Sequence, residues 1–225
     1  MIDPIHHKSL QRRLATFLTL GLLLMAAAMI LDRFALAFLA LPTARLHDWH
    51  RSLRVMGYLP IWLIVSLAFL LVDHPSNHPA VQPKWWPARG LSLALAATLG
   101  GVGAETLKLI LRRERPDNSG DFSGYLFRSF TDGPFRSVNL GLPSSHAMVA
   151  FAAAFALSRL LPQARPIWLS LALGCGLTRL LDHAHYPSDI ALAALGGYAA
   201  AWTVAALIPL NHAPPATPGA RGTQP

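Results

Sequence analysis

Charge is what this chain has least of. Only 13% of its 225 residues are Asp, Glu, Lys or Arg, against 53% hydrophobic, and the mean hydropathy is +0.39. Soluble domains carry about a quarter charged residues, so a soluble surface is hard to assemble from this composition. The same balance excludes disorder for most of the chain, because unfolded segments are rich in charge and poor in apolar residues. Cysteine is almost missing: Cys175 stands alone, which excludes a small disulfide scaffold. Acid is scarcer than base, with 11 Asp plus Glu against 19 Lys plus Arg and a formal net charge of +8. No helix–turn–helix, zinc-finger or RNA-binding pattern accompanies that excess. It reads as membrane-surface and anionic-ligand charge, with no nucleic-acid partner. No strand-like alternation with hairpin turns recurs either, which disfavours a membrane β-barrel.

What is present is a set of long apolar runs with the few charges clustered between them. Residues 14–31, 55–72, 90–104, 166–178 and 190–210 carry no charge, and within 137–158 only His146 is ionisable. A bilayer crossing takes about 17–25 mostly apolar residues. A soluble helix keeps a polar back, and residues 20–30 have none. These runs predict membrane helices at about 14–34, 55–72, 91–111, 145–161, 165–182 and 189–208. The expected fold class is therefore all-α: a polytopic membrane protein with six transmembrane helices in a bundle. Residues 35–41 are too short to cross alone and either extend the first helix or lie at the interface.

Residues 1–13 form an expected cytoplasmic N-terminal segment, 14–210 the transmembrane domain, and 211–225 a Pro-, Gly- and Thr-rich tail expected to be disordered. The first run does not read as a cleaved signal peptide, since a long segment containing Asp3 precedes it. Lys8, Arg12 and Arg13 favour a cytoplasmic N-terminus. Six crossings then place loops 35–54, 112–144 and 183–188 outside. This puts Arg51, Arg54, Arg112, Arg113, Arg115, Arg128 and Arg136 on the outer side, against the usual bias. Either the topology is inverted or those arginines stay there for a chemical reason.

Three polar clusters fall at the outer ends of the last four runs. In the first, Lys108 and Arg115 are seven residues apart, about two helical turns, so both can share one helix face and converge on an anion. Snorkelling interface charge is the plainer alternative, and Glu105 and Glu114 are available as partners. In the second, Ser144, Ser145 and His146 open a helix. Its serines suit capping, and its free N–H groups suit a phosphate or oxyanion. The third holds Arg179, Asp182, His183, His185 and Asp189. A carboxylate four residues from an imidazole can hold its second nitrogen, the usual way to make histidine a base or nucleophile. Asp182 is a natural partner for Arg179, and His183 a water-facing residue. A metal site is the competing use of His146, His183 and His185, but no compact ligand set of the H-E-x-x-H kind is present. Three cations with two histidines suit phosphate chemistry better.

Taken together, Lys108 to Arg115-Pro116, Pro143-Ser144-Ser145-His146, and Thr178-Arg179 with His185 and Asp189 resemble the type 2 phosphatidic acid phosphatase (PAP2) family. This is the membrane branch of the vanadium-haloperoxidase-like acid phosphatases. The resemblance covers about residues 55–208. It departs at Ser145, where the family has glycine, and at Thr178, where it has serine. The resemblance implies His185 as the nucleophile forming a phosphohistidine, Asp189 orienting it, and His146 as the proton donor to the leaving group and activator of water. Lys108, Arg115 and Arg179 would hold the phosphoryl oxygens with Ser144 and the N–H groups of Ser145 and His146. No metal or cofactor is implied. Ser145 keeps the N–H of the glycine it replaces, while its hydroxymethyl either narrows the pocket or adds a donor.

The expected activity is therefore metal-independent hydrolysis of a lipid-linked phosphomonoester or diphosphate at the periplasmic face of a bacterial inner membrane. Undecaprenyl diphosphate, phosphatidylglycerol phosphate, phosphatidic acid and a lipid A phosphate are the substrates considered. A lipid phosphotransferase sharing the same phosphohistidine is the alternative. An anion transporter fits less well, because its polar residues should recur near the midplane of several helices. Residues 117–142, with Arg128, Arg136 and five aromatics, are expected to form a lid facing lipid or ordinary interfacial aromatics. The oligomeric state is not encoded legibly.

Overall fold

The computed structural model describes residues 4–39, 41–77, 87–116, 122 and 124–208, with side chains from residue 16 onward except Pro42. Among these residues seven α-helices follow in order: α1 Pro4–Phe38, α2 Asp48–Val55, α3 Leu59–Val72, α4 Ala88–Leu111, α5 Ser145–Leu160, α6 Arg165–Leu181 and α7 Pro187–Leu207. Short 3-10 turns lie at Pro42–Leu46, Pro75–Asn77 and Pro162–Ala164. Among the described residues there is no strand, only two isolated bridges. The expected all-helical fold is present. The tail 211–225 lies outside the described residues.

Prolines mark helix starts. Those at 60, 166 and 187 occupy the first two positions of α3, α6 and α7, where the fixed φ suits a helix and the missing N–H has no partner to lose. α1 runs without a break through residues 4–13 and takes in 35–38. Most of the short apolar segment 35–41 therefore extends the first helix.

The apolar run 55–72 is not one helix. α2 and α3 are bent by 63° across residues 56–58. Gly57 lies at this elbow, where an added Cβ would sit 2.6 Å from Cβ of His146. The elbow therefore packs directly on the start of α5. The separate helix α2 was not foreseen. It is short and polar on one side, and it buries His50 against α6. On that side an added Cβ at Gly174 would come within 2.8 Å of Leu53.

α5 is the central helix, packed against α4, α6 and α7, with α3 on α4 and α1 on α7. Its composition explains its place. Ala147, Ala150, Ala152, Ala153, Ala154 and Ala156 are all buried, and small residues let backbones approach closely. The outer helices show the opposite pattern. Leu22, Leu23, Ile30, Ile64, Val102, Ile110, Leu173 and Trp202 are exposed large apolar side chains on α1, α3, α4, α6 and α7. So apolar an outer face fits hydrocarbon, not water. Residues Thr16–Phe38 of α1, together with α4 and α7, are long and apolar enough to cross a membrane. The bent pair α2–α3 adds a fourth such length if taken as one span, and α5 is apolar but shorter.

Candidate active site

Four helix ends meet at one edge of the bundle. Lys108 lies in the last turn of α4, Ser144 to His146 open α5, Arg179 lies in the last turn of α6, and Asp189 lies in the first turn of α7. Lys108, Ser144, Arg179, His185 and Asp189 are all buried, while Arg115, Ser145 and His146 are partly exposed.

Asp189 is the best-satisfied group of the cluster and is completely buried. One carboxylate oxygen accepts from His185 Nδ1 at 3.2 Å and from the backbone N–H of Tyr186 at 2.9 Å. The other accepts from Arg113 Nη2 at 2.6 Å. An ionised carboxylate can only accept, so Nδ1 of His185 carries a proton and Nε2 keeps its lone pair. Burial pushes the His185 ring below its ordinary value of 6.5. Asp189 opposes that shift, and the charges of Arg179 and Arg115 add to it. The ring is neutral at pH 7, the form in which imidazole is a nucleophile.

The first cluster forms differently from the helical reading. α4 ends at Leu111, and Arg112 is left-handed with φ 54°, so Lys108 and Arg115 do not share a helix face. A non-glycine residue in that region is disfavoured by about 1–2 kcal/mol. Arg112 offsets this with its side chain, which donates to the carbonyls of Arg128, Ser129, Asp132 and Pro134. That clasp holds the following loop against the end of α4. Residues 113–115 then run extended between its two arms. Glu114 N–H donates to Leu126 O at 2.8 Å, Arg115 N–H to Asn139 O at 3.0 Å, and Gly141 N–H to Arg113 O at 2.8 Å. This pairing carries Arg115 to the site. Of the available acids, Glu105 pairs with Lys108 at 2.9 Å, but Glu114 pairs with Arg128 at 3.0 Å.

The two serines also divide their roles. Ser144 is the residue preceding α5, yet its hydroxyl makes no capping bond. That oxygen is buried and has no hydrogen-bond partner among the described residues. Ser145 donates to Glu105 at 2.5 Å and accepts from Lys108 Nζ. The hydroxyl in the family's glycine position is thus an added contact, linked to the site's lysine. His146 stacks edge-on against Tyr58 at 5.1 Å, and its Nε2 is buried without a partner. Nε of Arg115 and Nε of Arg179 are in the same condition. Buried donors normally find partners, and several unpaired ones at one helix N-terminus suit an anion.

Asp182 pairs with Arg179 at 2.9 Å as expected, but it also takes Arg45 at 2.8 Å and His50 at 3.1 Å. His183 is partly buried with φ 51°, and its Nε2 has no hydrogen-bond partner among the described residues. Among the described residues, no group of three or more His, Cys, Asp or Glu side chains is placed to hold a metal ion.

Sequence reasoning missed a second layer behind Asp189. The guanidinium of Arg113 lies over the rings of Tyr125 and Tyr186, at 4.7 and 5.1 Å, and donates to Ser188 Oγ at 2.7 Å. Asp32 on α1, wholly buried, accepts from Ser188 N–H at 2.9 Å, Ser188 Oγ at 2.6 Å and Tyr125 OH at 2.7 Å. Burial and the bond to Asp32 push the Tyr125 hydroxyl up to about 12, so it remains a donor. A lone aspartate near the end of an apolar run was the available signal.

The sequence model of the PAP2 superfamily matches residues 89–213. The chain is 37% identical to the lipid A 1-phosphatase of Rhizobium etli over 133 residues, covering 57% of this chain and 53% of that protein. It is 36% identical to the lipid A 1-phosphatase of Rhizobium johnstonii over 123 residues, covering 54% and 47%. It thus spans about half the length of the curated relatives it matches. No solved structure is significantly similar. A family match over more than half the chain, carried by the helices whose ends form the site, makes this protein a member of the PAP2 superfamily.

Proposed function

We propose that this chain is a lipid phosphatase that transfers the phosphoryl group of a lipid-linked phosphomonoester or diphosphate to His185 and then to water. The observation that supports this reading is the His185–Asp189 pair at the helix ends that also carry buried polar atoms without partners among the described residues, namely Ser144 Oγ, His146 Nε2 and Arg179 Nε, with Arg115 Nε in the same condition. In the first step Nε2 of His185 attacks phosphorus, and the bond from phosphorus to the lipid oxygen breaks. His146 gives its proton to that oxygen. In the second step neutral His146 takes a proton from water, whose oxygen attacks phosphorus. The phosphorus–nitrogen bond breaks, inorganic phosphate leaves and His185 is restored. Lys108, Arg115 and Arg179 hold the equatorial oxygens, where fixed charge in a water-poor site stabilises the transition state. Ser144 and the N–H groups of Ser145 and His146 complete the seat.

In this reading α1, the bent α2–α3 pair, α4, α5, α6 and α7 make six crossings of a bacterial inner membrane. α5 and α6 rise about 24–26 Å at 1.5 Å per residue, slightly less than the hydrocarbon thickness, and the loops at their ends complete the span. The site then faces the periplasm; of the outer arginines Arg115 is there to hold phosphate, while Arg112, Arg113 and Arg128 fix the loop and Asp189. Among the substrates considered, a lipid A phosphate is favoured by the names of the two rhizobial relatives.

The test is phosphate release by purified protein in detergent, with EDTA present, from a panel of lipid phosphates in competition. Release from at least one of them, lost in His185→Ala, is expected. Activity near wild type in His185→Ala, or complete dependence on added divalent metal, contradicts the mechanism. Transfer of label to a second lipid in place of water would identify a phosphotransferase.

A further inference from the structure

The α2–α3 elbow lies against the site from outside the matched region of the chain and outside all three signature segments. Gly57 brings its backbone onto His146, and the ring of Tyr58 stacks edge-on against the His146 ring. Cys175 Sγ lies 3.9 Å from the carbonyl oxygen of Arg54 and 3.8 Å from that of His146. The last turn of α2 and the first turn of α5 are therefore close neighbours.

Arg54 occupies that last turn. Its side chain is 36% exposed, so it is neither sunk in the core nor splayed into solvent, and its Nη1 lies 4.0 Å from Oδ2 of Asp182. The same oxygen already accepts from Arg179 at 2.9 Å. Asp182 also pairs with Arg45, so one carboxylate answers three guanidinium groups. Nε of Arg54 and Nε of Arg179 are both buried without a hydrogen-bond partner among the described residues. Like-charged guanidinium groups repel one another, and an anion between them would relieve that.

We infer that Arg54 is a further substrate-binding residue, a cation that α2 adds to the phosphate seat beside Arg179 and His146. This inference rests on the phosphatase reading. The ligand is a phosphoryl oxyanion, which either the transferred phosphoryl group or the second phosphate of a diphosphate substrate can supply.

The test uses the full chain with Arg54→Gln, which keeps a polar hydrogen-bonding side chain but removes the charge, and Arg54→Lys. Inorganic phosphate and inorganic diphosphate serve as competing ligands, read both as inhibition of lipid phosphate hydrolysis and as protection against thermal unfolding. Loss of a charge-assisted bond should weaken anion binding about tenfold. KM should rise by a similar factor, kcat should change less, and Arg54→Lys should recover part of the loss. Weakening of both anions assigns Arg54 to the transferred phosphoryl, and weakening of diphosphate alone assigns it to the second phosphate. Inhibition and protection constants within twofold of wild type for both anions would overturn the inference. So would a KM defect fully accounted for by a lower melting temperature in the absence of ligand. A wild-type protein that hydrolyses no lipid phosphate would sink the phosphatase reading, while the thermal-protection arm would still report on Arg54.

Discussion

Arg113 Nη2 reaches Oδ1 of Asp189 at 2.6 Å with both side chains almost fully buried. The carboxylate thus takes a histidine on one oxygen and an arginine on the other. The proposed nucleophile is oriented by a group that is itself fixed from behind. Arg113 is not one of the three cations in the signature. It leaves α4 beyond the left-handed turn at Arg112 and points at the start of α7.

Arg113→Ala strips a buried carboxylate of its cation, a change that typically costs about 3–5 kcal/mol. The expected result is a marked fall in melting temperature in detergent. Arg113→Lys should recover only part of it: Nη2 alone serves both Asp189 and Ser188, and a lysine loses the planar guanidinium that lies over Tyr125 and Tyr186. A melting temperature unchanged in Arg113→Ala would contradict the pairing.

Asp32 ties α1 to the same assembly by accepting three hydrogen bonds. Asp32→Ala leaves the Ser188 N–H, the Ser188 hydroxyl and the Tyr125 hydroxyl without that acceptor, each worth about 1–3 kcal/mol if left unsatisfied. Thermal unfolding should show a loss of several kcal/mol, with Asp32→Asn intermediate. Equal stability of Asp32→Ala and wild type would show that α1 is not anchored there.

Ser145→Gly restores the residue found in the family signature. It removes the hydroxyl that links Glu105 and Lys108 but leaves their direct pair. Activity should stay within about fivefold of wild type, since a net hydrogen bond is worth only about 1 kcal/mol. Loss of Lys108 in Lys108→Met should abolish it. A collapse of activity in Ser145→Gly would make the serine hydroxyl part of the chemistry.

The pH dependence follows from His185. Burial and nearby arginines hold its ring below the ordinary value of 6.5 despite Asp189. The nucleophilic form is neutral, so activity is present above that lowered value and is lost as pH falls through it. The acid limb of kcat/KM, corrected for the second ionisation of the substrate phosphate, should therefore lie below pH 6.5. Arg115→Gln removes one depressing charge and should move the limb upward. A limb above 6.5 in the wild-type enzyme would be the opposite of what this environment produces.

The helices were legible because uninterrupted apolar runs leave little choice of structure. Residues 91–111, 165–182 and 189–208 were placed within a few residues of α4, α6 and α7. Pro60 marks a plausible end or bend in the sequence, but the packing of Gly57 at the elbow 56–58 against His146, 89 positions away, is not legible there. Lys108, His185 and Asp189 could be singled out as ionisable groups at the ends of apolar segments. Asp32 carries the same signal at the end of the run 14–31, but its partners and those of Arg113 are set by tertiary contact and not by spacing. The Lys108–Arg115 spacing suggested one helix face, but the chain reverses at Arg112 and an extended segment delivers Arg115.

The most direct test is to trap the covalent intermediate. Protein is mixed with a lipid substrate carrying labelled phosphate, quenched within milliseconds under alkaline conditions, and digested for mass spectrometry. Label should appear on His185, survive base and be lost in acid, and be absent from His185→Ala, which should also release no phosphate. Rapid phosphate release with no label on His185, or turnover by His185→Ala at the wild-type rate, would contradict the account.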